Sequence, residues 1–141
     1  MVAAGMTSET AIRASDEDSL RALGLSRQKA SYALALAQAR IDYAALRDMP
    51  TAEMVKTVVA VKGIGVATPE IYAMFSLGRA DVFAPGDVAL QEAARVLFDL
   101  PARPTEKQLR TLSEAWAPWR AVAARLLFSY YRVIKSREGI R

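Results

Sequence analysis

Helical spacing of apolar residues runs through nearly the whole chain, and no stretch alternates apolar and polar residues long enough to indicate a β-strand. The clearest repeat, at intervals of three or four residues, comprises Ala30, Leu34, Ala37 and Ile41. That spacing places all four side chains on one face of a helix. We therefore predict an all-α fold, a helical bundle with short loops.

Local signals predict where individual helices begin and end. Ser26 and Thr51 are expected N-caps, because a hydroxyl at that position can accept a hydrogen bond from the first turn. Thr105, with Gln108 three residues later, fits a capping box. Gly24 is expected to end a short helix, since glycine readily adopts the left-handed conformation found after helix ends.

The last predicted helix follows Pro118, runs to about Lys135 and has a broad apolar face. One stripe of this face is formed by Val122, Leu126, Tyr130 and Ile134, with Ala123 and Leu127 beside it. A face of that width predicts a helix that is mostly buried.

The 141 residues include no cysteine and no histidine. This composition excludes disulfides, iron–sulfur clusters, zinc sites built from these residues, and Ser-His or Cys-His catalysis. We therefore expect no metal and no cofactor. The net charge of +4 favours an anionic partner such as nucleic acid, although many small basic proteins bind no such partner.

The two ends differ in composition from the middle of the chain. Residues 1–15 are small and polar, lack the regions of a signal peptide, and are expected to be poorly ordered. Residues 16–136 are expected to form one domain, and residues 137–141 a basic tail. We expect no membrane partner, because no uncharged stretch reaches the length of a membrane span.

Two glycines flank one apolar residue in the turn Lys62-Gly63-Ile64-Gly65, between two predicted helices. Glycine permits positive φ and a close approach of the backbone to another molecule. Ile64 can point inward, while the turn amides and the next helix N-terminus form an anion site beside Lys62. Such a turn can bind a DNA phosphate without reading sequence. A plain helix–helix connector that requires glycine is the alternative.

Asp87 follows Pro85-Gly86 and precedes an apolar helical pattern. Taken alone, it is more readily an N-cap than a catalyst, although the two roles can coexist. An ionised carboxylate suits cleavage of an N-glycosidic bond, because it stabilises the positive charge that develops on the sugar and can activate water. That chemistry requires no histidine, cysteine or metal.

Together these features resemble the helix-hairpin-helix DNA glycosylase superfamily, and within it the 3-methyladenine DNA glycosylase II branch. The resembling segments are LGLSRQKA at 23–30, VKGIGVAT at 61–68, Ile71-Tyr72, DVFAPGDVAL at 81–90 and EAWAPWR at 114–120. The resemblance spans most of the chain, from Asp18 to Ile134. It implies a bundle that contains a helix-hairpin-helix motif and lacks the first helices of the family domain.

The resemblance also assigns roles to residues. It implies that Asp87 is catalytic and that the DNA-binding residues are Lys62, Gly63, Ile64, Gly65 and Thr68. Bifunctional members carry a lysine two residues after the second glycine, where this chain has Ala67. The implied activity is therefore monofunctional, because no amine is available there for a Schiff base and water attacks instead.

The expected base pocket departs from the family pattern. Alkylation-repair members usually have a tryptophan at the place of Ala67, where it stacks on an electron-poor methylated base. Phe128 stands where relatives carry a pocket tryptophan, and Tyr72 is a further candidate wall. Ordinary core packing is the alternative role for Phe128 and Tyr72.

Relatives have further helices before the position of Asp16, and those helices supply the wedge that holds DNA open during base flipping. We therefore expect uncovered apolar surface, through which the chain associates with a partner or with a second copy of itself.

The sequence thus supports three hypotheses. The first is a monofunctional base-excision glycosylase that releases alkylated purines from double-stranded DNA, in the cytoplasm and associated with the bacterial nucleoid. The second is a non-catalytic DNA-binding remnant of such an enzyme. The third is a helical interaction module with no role on DNA.

Overall fold

The computed structural model describes residues 3–138, and every regular element in this range is helical. The prediction of an all-α fold is therefore confirmed. The helices are α1 (Glu9–Arg13), α2 (Glu17–Ala22), α3 (Arg27–Ala39), α4 (Tyr43–Asp48), α5 (Thr51–Val59), α6 (Ala67–Phe75), α7 (Val88–Leu97), α8 (Glu106–Ser113), a 3-10 helix (Glu114–Trp116) and α9 (Arg120–Arg137). They form two compact units, an N-terminal unit that ends at Ile64 and a C-terminal unit that begins at Gly65.

In the N-terminal unit, α1 and α2 both pack against α3. The contact face of α3 contains the buried alanines Ala30 and Ala37, whose small side chains allow neighbouring helices to approach closely. Leu20 of α2 is fully buried in the same core. The guanidinium of Arg13 donates to the carbonyl oxygen of Ala37 at 2.9 Å, which attaches the end of α1 to the end of α3.

Helix α1 lies within residues 1–15, the segment expected from the sequence to be poorly ordered. Its N-cap is Ser8, whose hydroxyl oxygen accepts from the backbone N–H of Ala11 at 3.1 Å. Part of that segment is therefore helical. The domain limits of 16–136 stay a prediction, and residues 139–141 of the expected tail lie outside the described residues.

In the C-terminal unit, α7 packs along α9, and α8 contacts both α7 and the 3-10 helix. The centre of this unit is apolar: Leu90, Ala93, Ala94, Leu109, Ala124 and Leu127 are buried. Trp116 adds aromatic contacts, because its ring lies 5.5 Å from that of Phe83 and 6.2 Å from that of Phe98. These contacts connect the 3-10 helix to the segment before α7 and to the C-cap of α7.

Most of the predicted caps are confirmed. The hydroxyl of Ser26 accepts from the backbone N–H of Lys29, and Thr105 and Gln108 form both hydrogen bonds of a capping box. The cap predicted at Thr51 is wrong, because Thr51 is the first residue of α5 and Pro50 occupies the cap position. Proline presets the extended backbone from which a helix begins, so α5 starts without a side-chain cap.

The prediction of a mostly buried last helix is also wrong for part of its surface. Two residues of the predicted buried stripe are open to solvent, Val122 at 48% and Leu126 at 68% exposure. The buried residues of α9 are Ala121, Ala124, Leu127 and Ile134, and of these Leu127 and Ile134 belong to the predicted face. The buried face of α9 therefore overlaps the predicted face at Leu127 and Ile134 and continues through the small residues Ala121 and Ala124.

A carboxylate on α7 connects this helix to the segment before α8. The side chain of Glu92 accepts from Arg95 at 2.6 Å and from Arg103 at 3.2 Å. Hydrogen bonds from these guanidinium groups lower the pKa of Glu92 to about 2. Its folded-state pKa lies below the usual value, so the stabilisation is present above about pH 4.5 and is lost as pH falls toward 2.

We predict that Glu92→Gln lowers the free energy of unfolding at neutral pH by about 1 kcal/mol, because both arginines lose their anionic partner. Urea unfolding at pH 7 and at about pH 2.5 measures the effect, which shrinks at the lower pH. Glu114→Gln, at an exposed position of the same unit, is the control. An effect of Glu92→Gln that is equally large at both pH values would contradict this account.

Candidate functional site

The turn 62–65 follows α5 in the chain, and its conformation is set by Gly63. The φ angle of Gly63 is +88°, in the left-handed region that favours glycine. The ring of Tyr32, on α3, fills the space where a side chain would project, so a Cβ at residue 63 would overlap it. Gln28 donates to the hydroxyl of Tyr32 at 2.8 Å, which fixes the ring on α3. Residue 63 must therefore be glycine.

The backbone of this turn is open to solvent. Lys62, Gly63 and Gly65 are exposed, whereas Ile64 is half-buried and donates its backbone N–H to the carbonyl oxygen of Val61 at 3.2 Å. A Cβ at Gly65 would meet nothing within 4 Å, so the second glycine is not required by the protein's own packing. Its lack of a side chain does leave the backbone accessible to another molecule.

Helix α6 begins two residues after Gly65 without a side-chain cap. Its cap residue is Val66, which has helical backbone angles and cannot accept a hydrogen bond through its side chain. Thr68 is the exposed second residue of the helix, and Pro69, which follows, has no N–H. The positive end of the helix dipole is therefore exposed immediately after the turn.

Asp87 lies in a turn that is fixed by three hydrogen bonds. Its backbone N–H donates to the carbonyl oxygen of Ala84 at 3.0 Å. The side-chain amide of Gln91 donates to the carbonyl oxygen of Pro85 at 2.8 Å. The Oδ1 atom of Asp87 accepts from the backbone N–H of Leu90 at 3.0 Å. The predicted N-cap is therefore confirmed. The half-buried carboxylate has a fixed orientation at the N-terminus of α7.

Two of the candidate pocket residues lie on α6 and α9. The ring of Phe128 on α9 is 5.9 Å from that of Phe75 on α6, and Tyr72 precedes Phe75 by about one helical turn. Phe75 is 48% exposed, and the guanidinium of Arg125 covers one face of its ring at 4.8 Å. The contacts of Phe128 are thus with Phe75, a residue that the sequence did not single out. Ala67, the third candidate, is the half-buried first residue of α6.

A buried carboxylate in the first turn of α6 was also missed by sequence reasoning. The side chain of Glu70 is 8% exposed, and its Oε2 lies 3.5 Å from Nη2 of Arg110. Its Oε1 is buried and has no hydrogen-bond partner within residues 3–138. Burial raises the pKa of Glu70 to about 7, although the nearby Arg110 partly offsets this effect. A glutamate in the first turn of a helix ordinarily interacts with the helix dipole, so nothing in the sequence singles out Glu70.

In the part of the chain that the structure describes, His, Cys, Asp and Glu side chains form no group of three or more that could hold a metal ion. The described helices are all too short or too polar to cross a membrane.

The chain matches the HhH-GPD superfamily of base excision DNA repair proteins over residues 1–118. It belongs to this superfamily. The match includes the residues before Asp18, where the resemblance noted in the sequence begins. It also contains the whole turn 62–65 and Asp87.

Within this superfamily, the chain is similar to DNA-3-methyladenine glycosylases. DNA-3-methyladenine glycosylase 1 of Schizosaccharomyces pombe is 30% identical over 135 residues, which are 92% of this chain and 59% of that protein. DNA-3-methyladenine glycosylase 2 of Escherichia coli is 30% identical over 122 residues, which are 85% of this chain and 40% of that protein. The predicted resemblance to 3-methyladenine DNA glycosylases is therefore confirmed.

A solved structure shows the same fold. The S. pombe 3-methyladenine DNA glycosylase in complex with abasic DNA superposes with a TM-score of 0.76 and 31% sequence identity. The superposition covers 86% of this chain and 61% of that protein. The chain thus spans between 40% and 61% of the length of the proteins to which it is compared.

The two glycines of the turn provide a matched pair of substitutions. We predict that Gly63→Ala lowers the free energy of unfolding by about 1–3 kcal/mol, because the new methyl group overlaps Tyr32 and φ is positive. Gly65→Ala is expected to change it by less than about 0.5 kcal/mol, since the space there is open. Urea unfolding followed by circular dichroism measures both values. Equal losses for the two variants would show that Tyr32 does not restrict residue 63.

Proposed function

We propose that this chain is a monofunctional DNA glycosylase, which hydrolyses the N-glycosidic bond of alkylated purines in double-stranded DNA. The observation that carries the proposal is the fixed carboxylate of Asp87, in a member of a base excision repair superfamily. The names of the relatives specify an alkylated purine, 3-methyladenine, as the base on which those proteins act.

The proposed reaction requires a negative charge of defined position. Departure of the base leaves positive charge on the sugar, which a carboxylate stabilises through space while it orients or activates the attacking water. Asp87 suits this role because the turn and the helix cap hold its carboxylate in one orientation, which reduces reorganisation during the reaction. Only the Oδ1 atom is engaged by the cap.

The product of this reaction is an abasic site. Ala67 stands where the family resemblance places the lysine of strand-cutting members, so this position supplies no amine to attack the sugar. Water is therefore the nucleophile, and the strand remains intact. The S. pombe relative was solved with abasic DNA, the same kind of product.

The proposed contact with DNA is made mainly by backbone groups and not by side chains that recognise bases. Lys62, Gly63, Ile64 and Gly65 present an open turn, and Thr68 lies at the uncapped start of α6. Backbone amides and a lysine can bind a phosphate without regard to sequence, as required of an enzyme that inspects damage in any context.

The proposed base pocket is aromatic. Phe128 is paired with Phe75, Tyr72 lies on the same helix as Phe75, and Ala67 leaves room where the family resemblance places a tryptophan. A ring face attracts the electron-poor ring of a methylated base. Because Arg125 already covers one face of Phe75, Phe128 and Tyr72 are the better candidates to contact the base.

Self-association is a second part of the proposal. The exposed Leu126 of α9 lies beside Leu97 and Phe98, which are 50% and 43% exposed. A cavity of about 390 Å³ on this surface is lined by Leu126 and Phe98, among other apolar residues. Contiguous apolar surface of this kind favours coverage by another chain. We also propose a cytoplasmic location beside the bacterial nucleoid, where the DNA is.

A non-catalytic DNA-binding protein is the second candidate. The alanine at residue 67 favours it, because this position lacks the aromatic ring that the family resemblance associates with a methylated base. Release of free base separates the two candidates.

Substitutions at Asp87 distinguish its charge from its role as a cap. Asparagine caps helices nearly as well as aspartate, so Asp87→Asn is expected to retain the fold and to lower base release at least about 100-fold. Asp87→Ala is expected to lose about 1 kcal/mol of stability as well. Single-turnover release of 3-methyladenine from methylated duplex DNA measures activity, and urea unfolding measures stability. Wild-type rates in Asp87→Asn would exclude Asp87 as the catalyst.

Charge reversal in the turn tests the phosphate contact. Lys62→Glu is expected to weaken binding to undamaged duplex DNA about tenfold and to reduce the salt dependence of binding by about one phosphate contact. The exposed Lys107→Glu, on α8, changes the net charge equally and is the control. Fluorescence anisotropy at several salt concentrations measures both. Equal losses for the two variants would indicate a general charge effect and no specific contact at Lys62.

A further inference from the structure

Glu70 is a buried carboxylate that the proposed reaction does not use. It lies in the first turn of α6, its side chain is 8% exposed, and its Oε1 has no hydrogen-bond partner in the described part of the chain. A buried carboxylate oxygen without a partner opposes ionisation, since charge in such a place is costly. A plain structural role would be served better by an apolar residue of similar size.

The contact that Glu70 makes is shared with a second carboxylate. Nη2 of Arg110 lies 3.5 Å from Glu70 and 3.4 Å from Oε1 of Glu106, one turn earlier on α8. Both distances are long for a charged hydrogen bond, so Arg110 is divided between two acceptors. Because its side chain is 48% exposed, it has space to move toward either one.

The second carboxylate, that of Glu106, lies beside the turn that contains Gly86 and Asp87. Gly86, the residue before Asp87, has no Cβ. The carboxyl group of Glu106 lies 3.5 Å from the position that a Cβ would occupy there. Glu106 therefore lies beside the turn that orients Asp87. Glu70, Arg110 and Glu106 thus form a relay from α6 to this turn through α8.

The pKa of Glu70 lies near neutral pH. Burial raises its pKa to about 7, Arg110 lowers it in part, and Glu106 raises it further. These two α8 residues are the charged groups that face Glu70 in the described chain. Both forms of Glu70 are therefore populated near neutral pH.

We propose that Glu70 is a positioning residue, which controls the Gly86-Asp87 turn through Arg110 and Glu106. When Glu70 is neutral, Arg110 pairs with Glu106 and compensates its charge beside the turn. When Glu70 is ionised, Arg110 is drawn toward it, and Glu106 is left as an uncompensated negative charge beside Gly86. Two like charges repel, so this uncompensated carboxylate shifts the turn that orients the carboxylate of Asp87. The neutral form of Glu70 is therefore the one that supports base release. This inference rests on the proposed glycosylase function only for its consequence for activity.

Nuclear magnetic resonance tests the relay without reference to activity. The backbone amide signals of Gly86 and Asp87 in the wild-type protein are expected to shift with pH, with a midpoint near 7. The shift is expected to disappear in Glu70→Gln, which is permanently neutral, and in Glu106→Gln, which removes the carboxylate beside Gly86. Glu106 is exposed, so this second variant is expected to fold even if Glu70→Gln does not. Amide signals that titrate unchanged in either folded variant would overturn the inference.

The pH profile of base release tests the consequence. Wild-type activity on methylated duplex DNA is expected to fall roughly tenfold between about pH 6.5 and pH 8.5, as Glu70 ionises. Glu70→Gln is expected to keep at pH 8.5 the rate that it has at pH 6.5, whereas Arg110→Met is slow at both. A wild-type decline preserved in Glu70→Gln would overturn the inference.

The two measurements separate the inference from the proposed function. If the wild-type protein releases no base at any pH, but the signals of Gly86 follow Glu70, the proposed function fails and the relay is supported. If base is released but the signals of Gly86 do not depend on Glu70, the proposed function stands and the relay is wrong.

Discussion

The turn after α5 depends on the contact between the ring of Tyr32 and the backbone of Gly63. The ring leaves no room for a side chain, and the positive φ of Gly63 turns the chain at that point. The packing of α1 and α2 on α3 in turn fixes the helix that carries Tyr32. A turn held from within in this way can present its exposed backbone to an anion without rearrangement, which lowers the entropic cost of binding.

Sequence patterns predicted the features that depend on local interactions. The caps at Ser26, Thr105 and Asp87 require only a side chain and a nearby amide, so the residues identify them directly. The cap at Thr51 was wrong because Pro50, one residue earlier, already sets the backbone for helix entry. The exposure of Val122 and Leu126 on α9 was also missed, because the burial of a helix face depends on its neighbours and not on its own periodicity.

In the candidate site, too, the features set by local sequence were predicted and those set by tertiary packing were not. The turn 62–65 and Asp87 were predictable because short motifs specify them. Glu70 was not predictable, since its burial and its long contact with Arg110 of α8 depend on residues far away in the sequence. The partner of Phe128 was likewise set by tertiary packing, which brings Phe75 against it. Sequence alone also treated Gly63 and Gly65 alike, although only Gly63 has a side chain packed against it.

We propose that this chain removes a base by water attack and leaves the strand intact. The most direct measurement is the stoichiometry of products from methylated duplex DNA in a single turnover: free base, abasic sites and strand breaks before alkali treatment. The account predicts one abasic site for each base released, and no strand breaks, because Ala67 provides no amine for strand cutting. Strand breaks that accompany base release, or the absence of any released base, would contradict it.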